Sequence, residues 1–202
     1  MPDPAFFARL GLFVRNDFLD ATECEQIVSE MRAAARSLAS VRTTGSNYEV
    51  VTSVRSARWV EVSPQTVALA EERLQGVLPA IERHFSVKLQ GIQPPQFLAY
   101  QEGDFYSPHR DDSRDGTAAE FQKARRISVV IFLNSHSEEL REGSYCGGFL
   151  TLYGLLQDRR AKSAGFPVAG HPGALVAFPS KTAHEVTPVT CGERFSIVTW
   201  FV

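Results

Sequence analysis

The second half of the chain is divided into short β-rich runs, and this pattern constrains the fold more than any other feature of the sequence. Gly, Pro and polar clusters separate the runs, and no long helical pattern intervenes apart from a helical turn near 118–123. The runs cover residues 96–101, 126–134, 148–153, 174–178, 185–189 and 194–202. Closely spaced strands with turn signals between them are typical of an antiparallel sandwich or barrel.

Two helix patterns lie ahead of these strands. Asp20 and Glu23 have the spacing of a capping box, and apolar residues at helical spacing follow, so we expect a helix over about residues 21–39. Ser63 followed by Pro64 starts a second helix, which Pro79 should kink or split. Because the helices precede the strands and do not alternate with them, the sequence predicts a mainly β fold with supporting N-terminal helices.

Length, charge and cysteine content limit the class of protein. A chain of 202 residues suits one domain, in which we expect residues 1–91 to support a core formed by 92–202. The formal net charge of −2 gives no electrostatic case for nucleic acid or an anionic membrane as main partner. Cys24, Cys146 and Cys191 show no apparent pairing, which is typical of a reducing compartment. With no signal-peptide pattern or long apolar run, a soluble, cytoplasmic protein is expected.

The segment Tyr106-Ser-Pro-His-Arg-Asp-Asp112 places an imidazole and a carboxylate two positions apart. Residues i and i+2 of a strand share a face, so His109 and Asp111 could grip one ion together. An accidental surface pair in a polar loop is the alternative. His184 lies between two later β-rich runs and is the candidate third ligand. The remaining histidines are expected to be structural or exposed: His84, His136 and His171.

Arg194 opens the last, otherwise apolar run and needs an anion, because a buried unpaired guanidinium is very costly. Two imidazoles and one carboxylate occupy one face of an octahedral Fe(II) and leave three positions open. A 2-oxoacid can take two of these positions and dioxygen the third, while Arg binds the far carboxylate of 2-oxoglutarate bidentately. The candidate catalytic residues are therefore His109, Asp111, His184 and Arg194, of which the first three are the candidate metal ligands.

In this order, the motifs resemble those of Fe(II)/2-oxoglutarate-dependent oxygenases of the prolyl 4-hydroxylase type. The resemblance covers most of residues 92–202. The matching segments are Leu98-Ala-Tyr-Gln-Glu-Gly-Asp-Phe-Tyr-Ser-Pro-His-Arg-Asp111, Arg126-Ile-Ser-Val-Val-Ile-Phe-Leu-Asn134, Gly147-Gly-Phe-Leu150, and His184 with Arg194. The resemblance implies a double-stranded β-helix, or jelly-roll, core. It also implies Fe(II), 2-oxoglutarate and O2 as reactants, with ascorbate as a candidate reductant.

The resemblance extends to further residues of the 2-oxoglutarate pocket. Tyr100 matches a family tyrosine beside the co-substrate, and Ser196 matches an Arg-x-Ser pattern that joins Arg194 at the C5 carboxylate. An ordinary barrel-wall position is the alternative for both. Collagen-type enzymes usually carry Lys where this chain has Arg194, and Phe132 stands where some oxygen-sensing enzymes place a tyrosine that contacts 2-oxoglutarate. The pocket is therefore expected to lack that hydrogen bond. The presence of Asp111 disfavours the family's halogenases.

The resemblance implies hydroxylation of an unactivated C–H bond, with release of succinate and CO2. A prolyl residue in a protein or peptide is the favoured substrate, and a free amino acid or small metabolite is the alternative. A non-catalytic metal-binding jelly-roll module and a nucleic-acid demethylase are rivals; near-neutral charge argues against the latter. Residues 41–58 are either a substrate lid or a solvated hairpin, and 112–125 are expected to shape the entrance. The sequence predicts no membrane association and gives no oligomeric state.

Overall fold

The computed structural model describes residues 3–42, 48–112, 120–156 and 163–202. Within these ranges the helices are α1 (Pro4–Arg9), α2 (Ala21–Ala33), α3 (Pro64–Phe85) and α4 (Glu120–Lys123). The strands are β1 (Phe13–Arg15), β2 (Arg36–Leu38), β3 (Val41–Arg42), β4 (Tyr48–Glu49), β5 (Arg55–Ser56), β6 (Arg58–Val60), β7 (Gln96–Tyr100), β8 (Phe105–His109), β9 (Ile127–Phe132), β10 (Tyr145–Gly147), β11 (Leu150–Tyr153), β12 (Gly165–Val168), β13 (Leu175–Pro179), β14 (His184–Val186), β15 (Val189–Gly192) and β16 (Arg194–Phe201).

Two antiparallel sheets form the core of the fold. The larger has seven strands in the order β1-β13-β9-β16-β7-β6-β2, and the smaller has five in the order β12-β11-β14-β8-β5. Strands that are distant in sequence lie side by side, such as β16 between β9 and β7. This topology is the double-stranded β-helix, so the mainly β prediction is confirmed. No helix in the described part of the chain is both long and apolar enough to cross a membrane.

The larger sheet is buried on both faces, and its strands alternate between two cores. In β16, Phe195 and Ile197 belong to the apolar cluster that includes Leu74 of α3. Arg194 and Ser196 point the other way because successive side chains alternate across a strand. On that second face, apolar residues of β9 and β13 pack against those of β11 in the smaller sheet. Polar groups on this face are therefore enclosed between the two sheets.

Helix α2 begins as predicted but ends earlier. The side chain of Asp20 accepts a hydrogen bond from the Glu23 amide at 2.8 Å, and the Glu23 carboxylate accepts from the Asp20 amide at 2.9 Å. The predicted end near residue 39 is wrong, because Arg36–Leu38 forms β2 and pairs with β6. Leu38, which extended the helical pattern, is exposed. Pairing with the sheet edge therefore outweighs the local helical periodicity.

Helix α3 is continuous through Pro79, so the predicted split is wrong, and a kink there stays a prediction. Pro79 lies on the exposed face, and the carbonyl of Gln75 that loses its partner there is on a residue that is also exposed. Water can satisfy this carbonyl. The opposite face keeps Leu74 and Ile81 fully buried against the sheet. Burial of that face stabilises the helix despite the missing hydrogen bond.

The two predicted entrance segments lie partly outside the described residues. Of residues 41–58, positions 43–47 are outside, and the flanking β3 and β4 pair antiparallel as the hairpin alternative predicts. A lid role stays a prediction. Of residues 112–125, positions 113–119 are outside, and α4 forms the predicted helical turn.

The expectation that no cysteines pair is wrong. Cys146 of β10 and Cys191 of β15 form a disulfide with a Cα–Cα distance of 4.9 Å, and only Cys24 is free. The two residues are 45 positions apart, so spacing gave no sign of their pairing, but they face each other in the β10–β15 ladder. The cysteines therefore no longer support a reducing compartment.

Loss of this disulfide should destabilise the protein. Closing a loop of 45 residues stabilises the folded state by about 4 kcal/mol in the chain-entropy model. We expect the double variant Cys146→Ser/Cys191→Ser to lose roughly 2–4 kcal/mol of unfolding free energy in urea titrations. A reductant should destabilise the wild-type protein and leave the double variant unchanged. Titration of three free thiols in the unreduced, unfolded wild-type chain would contradict the disulfide.

Candidate active site

Three potential metal ligands converge on the smaller sheet. His109 ends β8 and His184 begins β14, and the two are paired across the ladder with ring centroids 4.2 Å apart. Asp111 follows β8, with one oxygen 3.7 Å from His109 Nε2 and the other 3.5 Å from His184 Nε2. One ligand atom of each residue lies within 4.8 Å of the others. Of the described residues, His84, His136 and His171 do not join this cluster.

Backbone carbonyls fix the orientation of both imidazoles. Nδ1 of His109 lies 2.8 Å from the Ser107 carbonyl oxygen, and Nδ1 of His184 lies 3.0 Å from the Thr182 carbonyl oxygen. A carbonyl oxygen only accepts, so each Nδ1 must carry the proton. Each Nε2 is the ring nitrogen that faces an oxygen of Asp111. The form with the proton on Nδ1 is the tautomer that metal-binding histidines use.

Asp111 is held in its ionised form by its surroundings. The hydroxyl of Ser128 donates to Asp111 Oδ2 at 2.6 Å, and the Asp111 amide donates to the Ser180 carbonyl at 3.0 Å. Burial alone would raise the pKa of Asp111, but His184, His109, Ser128 and Trp200 together lower it to about 2. Burial and the neighbouring His184 lower the pKa of His109 to about 3, against the opposing effect of Asp111. Near neutral pH the cluster thus contains an ionised Asp111 carboxylate beside a neutral His109 imidazole.

Aromatic rings form the walls of the metal cluster. Tyr106 stacks on His109 with ring centroids 3.6 Å apart, and Phe178 contacts His184 edge-on at 4.7 Å. Arg55 lies on the neighbouring strand β5, and its guanidinium is 4.7 Å from the Tyr106 ring. Sequence reasoning assigned no role to these residues, because the contacts join strands whose pairing only the fold defines.

The donor set fits a metal ion with open positions. Two imidazole nitrogens and one carboxylate oxygen on one side of a shared point are the ligand set of mononuclear non-haem iron sites. The imidazole tautomers and the ionised carboxylate need no rearrangement to bind a cation. No fourth protein ligand joins this group within the described ranges, so several coordination positions would stay free for other molecules.

Arg194 lies on the inner face of the larger sheet and is 1% exposed. Its NH1 donates to Ser196 Oγ at 2.9 Å, and its guanidinium carbon lies 5.1 Å from the Tyr100 ring and 5.3 Å from the Phe132 ring. No carboxylate of the described residues forms an ion pair with Arg194, and its Nε has no hydrogen-bond partner. The arrangement fits an anion, because an unpaired buried guanidinium costs several kcal/mol.

Asn134 fixes the backbone on both sides of Arg194. Its side-chain nitrogen donates to the Glu193 carbonyl at 2.8 Å, and its side-chain oxygen accepts from the Phe195 amide at 2.9 Å. Gly148 lies against the Arg194 side chain, where a Cβ would stand 3.0 Å from Arg194 Cδ. The guanidinium is therefore held by a rigid strand and a closely packed turn.

The comparisons with known proteins agree with this geometry. Residues 95–202 match the family model described as the 2OG-Fe(II) oxygenase superfamily. A PKHD-type hydroxylase of Hyphomonas neptunium is 28% identical over 180 residues, which cover 87% of this chain and 73% of that protein. A PKHD-type hydroxylase of Shewanella oneidensis is 35% identical over 107 residues, 53% of this chain and 42% of that protein. The latter match thus spans less than half of its relative.

Solved structures share the fold. A prolyl-4-hydroxylase of Pseudomonas putida superposes with a TM-score of 0.69 at 24% identity, covering 95% of this chain and 91% of that one. A Trichoplax adhaerens prolyl hydroxylase, in complex with a hypoxia-inducible factor peptide fragment, superposes with a TM-score of 0.63 at 21% identity, covering 95% and 83%. Because the family model matches more than half of the chain, the protein belongs to the 2OG-Fe(II) oxygenase superfamily. The resemblance stated from the motifs is therefore confirmed at the level of this superfamily, and the solved prolyl hydroxylases share its fold.

The hydrogen bond from Ser128 should strengthen metal binding. Ser128→Ala removes the donor that orients Asp111, and changes of this kind lower metal affinity roughly 10- to 100-fold. We expect that loss for Mn(II) in calorimetric titrations, and no measurable binding for His184→Ala. Ser135→Ala, at an exposed serine, is the control and should bind as the wild type does. Unchanged affinity of Ser128→Ala would contradict the role of this hydrogen bond.

The stability of the metal-free protein should fall in acid. The pKa of His109 is lowered from 6.5 to about 3, so the unfolded chain binds more protons between these values. The free energy of unfolding then decreases as pH drops through this range. Urea titrations in the presence of a chelator should show a shallower decrease in His109→Gln, with a residual slope because burial also lowers the pKa of His84 and His136. An identical slope in wild type and variant would contradict the buried neutral state of His109.

Proposed function

We propose that the protein hydroxylates an unactivated C–H bond of a prolyl residue in a protein or peptide, consuming 2-oxoglutarate and O2 and releasing succinate and CO2. One observation carries the proposal. A His-Asp-His ligand group on one sheet is combined with a buried arginine on the facing sheet that lacks an ion-pair partner among the described residues. A metal-binding protein without 2-oxoglutarate chemistry would gain nothing from the cost of burying that charge.

Each side chain of the site has a defined part in this reaction. His109, Asp111 and His184 would hold Fe(II), while Arg194 with Ser196 would hold the C5 carboxylate of 2-oxoglutarate. When bound, the iron and 2-oxoglutarate activate O2 for insertion of one oxygen atom into the substrate C–H bond. Arg194 and the metal ligands sit on or beside packed strands. The groups that would receive the two ends of the co-substrate are therefore held in position before it binds.

Apolar side chains exclude water from the region around Arg194. Leu98, Val186 and Val189 form a buried cluster with Tyr100 and Tyr145. Exclusion of water strengthens the attraction between Arg194 and a carboxylate. It also protects a reactive site from side reactions. Tyr100, the strand partner of Arg194, would pack beside the co-substrate, as the family resemblance implies.

A prolyl substrate is supported by the relatives and by the family resemblance. Relatives named PKHD-type hydroxylases match the chain, and the fold is shared with a prolyl-4-hydroxylase and with a prolyl hydroxylase bound to a peptide fragment. The net charge of −2 does not favour nucleic acid as the substrate. Protein or peptide is therefore the first substrate class to test.

A free amino acid is the second candidate, and Arg55 favours it. Arg55 is 7% exposed, and its Nε has no hydrogen-bond partner in the described part of the chain. It lies over Tyr106, which stacks on His109. A cation at that position would suit the carboxylate of a small substrate. Incubation with free amino acids and with prolyl peptides separates the two candidates by which one stimulates succinate formation.

Removing the charge of Arg194 should impair use of 2-oxoglutarate. Truncating one partner of a buried charge pair costs roughly 2–5 kcal/mol, so Arg194→Gln should raise the KM for 2-oxoglutarate by at least about 30-fold. Asp111→Ala should abolish succinate formation. Arg36→Gln removes a guanidinium that pairs with Glu193 and should keep near-normal turnover.

The decisive assay is mass spectrometry of lysate proteins incubated with Fe(II), 2-oxoglutarate and the purified protein. A gain of one oxygen atom on a prolyl residue supports the proposal when the Asp111→Ala protein gives no such gain. Equal succinate formation by wild type and Asp111→Ala would overturn it.

A further inference from the structure

Tyr145 is a fully buried tyrosine beside Arg194, and its hydroxyl proton has no acceptor among the described residues, since its neighbours Arg194 and the Gly170 amide are both donors. Buried hydroxyls normally find a partner, so an orphaned one needs an explanation. Gly148 indicates where the ring lies, because a Cβ there would stand 3.0 Å from Arg194 Cδ and 3.2 Å from Tyr145 Cε2. The phenol ring and the Arg194 side chain therefore flank the same glycine.

Gly170 leaves the space that the hydroxyl occupies. A Cβ at position 170 would lie 2.0 Å from the Tyr145 hydroxyl oxygen and 3.0 Å from Phe132 Cδ1. The hydroxyl thus reaches the Phe132 side of the Arg194 pocket. Burial raises the pKa of Tyr145, and the positive charge of the adjacent Arg194 only partly opposes this. The phenol is therefore protonated near neutral pH and has a proton to donate.

Arg194 cannot satisfy this proton, because a guanidinium has donors and no acceptor. Arg194 Nε is itself a buried donor without a partner in the described part of the chain. Ser196 Oγ already accepts from Arg194 NH1. Arg194 and Tyr145, which flank the same glycine, thus each bring a buried donor to this pocket, and this suits a group that only accepts. A carboxylate, with two oxygens and about four lone pairs, has this property.

Position 132 explains why a second donor is needed. Phe132 is the strand partner of Ser196, and its ring lies 5.3 Å from the Arg194 guanidinium carbon. It has no hydroxyl to offer. Tyr145 brings a hydroxyl to the same pocket from β10. The ladder Tyr145↔Gly192 and the adjacent Cys146–Cys191 disulfide fix that strand.

We propose that Tyr145 donates its hydroxyl proton to the C5 carboxylate of 2-oxoglutarate and thereby replaces the hydrogen bond that Phe132 cannot make. The proposal rests on the proposed function, since it assigns a further binding residue to the same co-substrate. It also makes Tyr145 a specificity determinant. The hydroxyl contributes to binding of a 2-oxo dicarboxylate and contributes nothing to a 2-oxo monocarboxylate.

The test compares two ligands on Tyr145→Phe. Calorimetric titration of the Mn(II)-loaded, oxygen-free protein with 2-oxoglutarate should show a Kd about 10-fold or more above that of the wild type, as expected for a hydrogen bond to a charged group. The Kd for 2-oxobutyrate, which lacks the distal carboxylate, should not change. Tyr153→Phe removes the hydroxyl that bonds to Glu185 and is the matched control, with both Kd values unchanged.

A second variant distinguishes the loss of the hydroxyl from a packing defect caused by the Tyr145→Phe substitution. Adding Phe132→Tyr to Tyr145→Phe returns a hydroxyl to the pocket from the neighbouring strand and should regain part of the lost affinity for 2-oxoglutarate. Unchanged 2-oxoglutarate affinity in Tyr145→Phe overturns the proposal, and so does an equal loss for both ligands. If the wild-type protein binds Mn(II) but neither oxoacid, the proposed function itself fails.

Discussion

The whole structure depends on one buried positive charge, the guanidinium of Arg194. Arg194 is enclosed between two sheets, bonded to Ser196 and packed between aromatic rings, with no ion-pair partner among the described residues. A folded chain keeps such a group only when its free-energy cost is offset by an anion. The His-Asp-His cluster would supply the other fixed charge once a cation binds. A small molecule that bears an acid at one end and metal-binding oxygens at the other satisfies both.

The alternation of side chains along the strands makes this arrangement possible. On β16, Phe195 and Ile197 alternate with Arg194 and Ser196 and pack against the helices, so one strand supports both the apolar core and the polar pocket. The ligand histidines come from the facing sheet, where β8 and β14 pair. The rigidity of both sheets then sets the span between the two charged centres. A reaction whose reactants must be held at a fixed separation is favoured by such a rigid pair of sheets.

The sequence predicted the strands that carry a long apolar run, and through their residue types it predicted the three candidate metal ligands that the fold brings together. It failed where long-range pairing decides the outcome. The strand Phe105–His109 carries Pro108 and is only half-buried, so its composition did not mark it as a strand. Cys146 and Cys191 become partners only through the β10–β15 ladder. Tyr145 stayed unnoticed for the same reason, since its neighbours Arg194 and Gly170 are distant in sequence.

The central claim is that metal ligands on one sheet and an arginine on the other bind the two ends of one molecule. A crystal structure of the oxygen-free protein with Mn(II) and 2-oxoglutarate tests it most directly. The account predicts metal density bounded by His109, Asp111 and His184, with the distal carboxylate of 2-oxoglutarate on Arg194. A metal bound elsewhere, or a co-substrate whose distal carboxylate points away from Arg194, would contradict it.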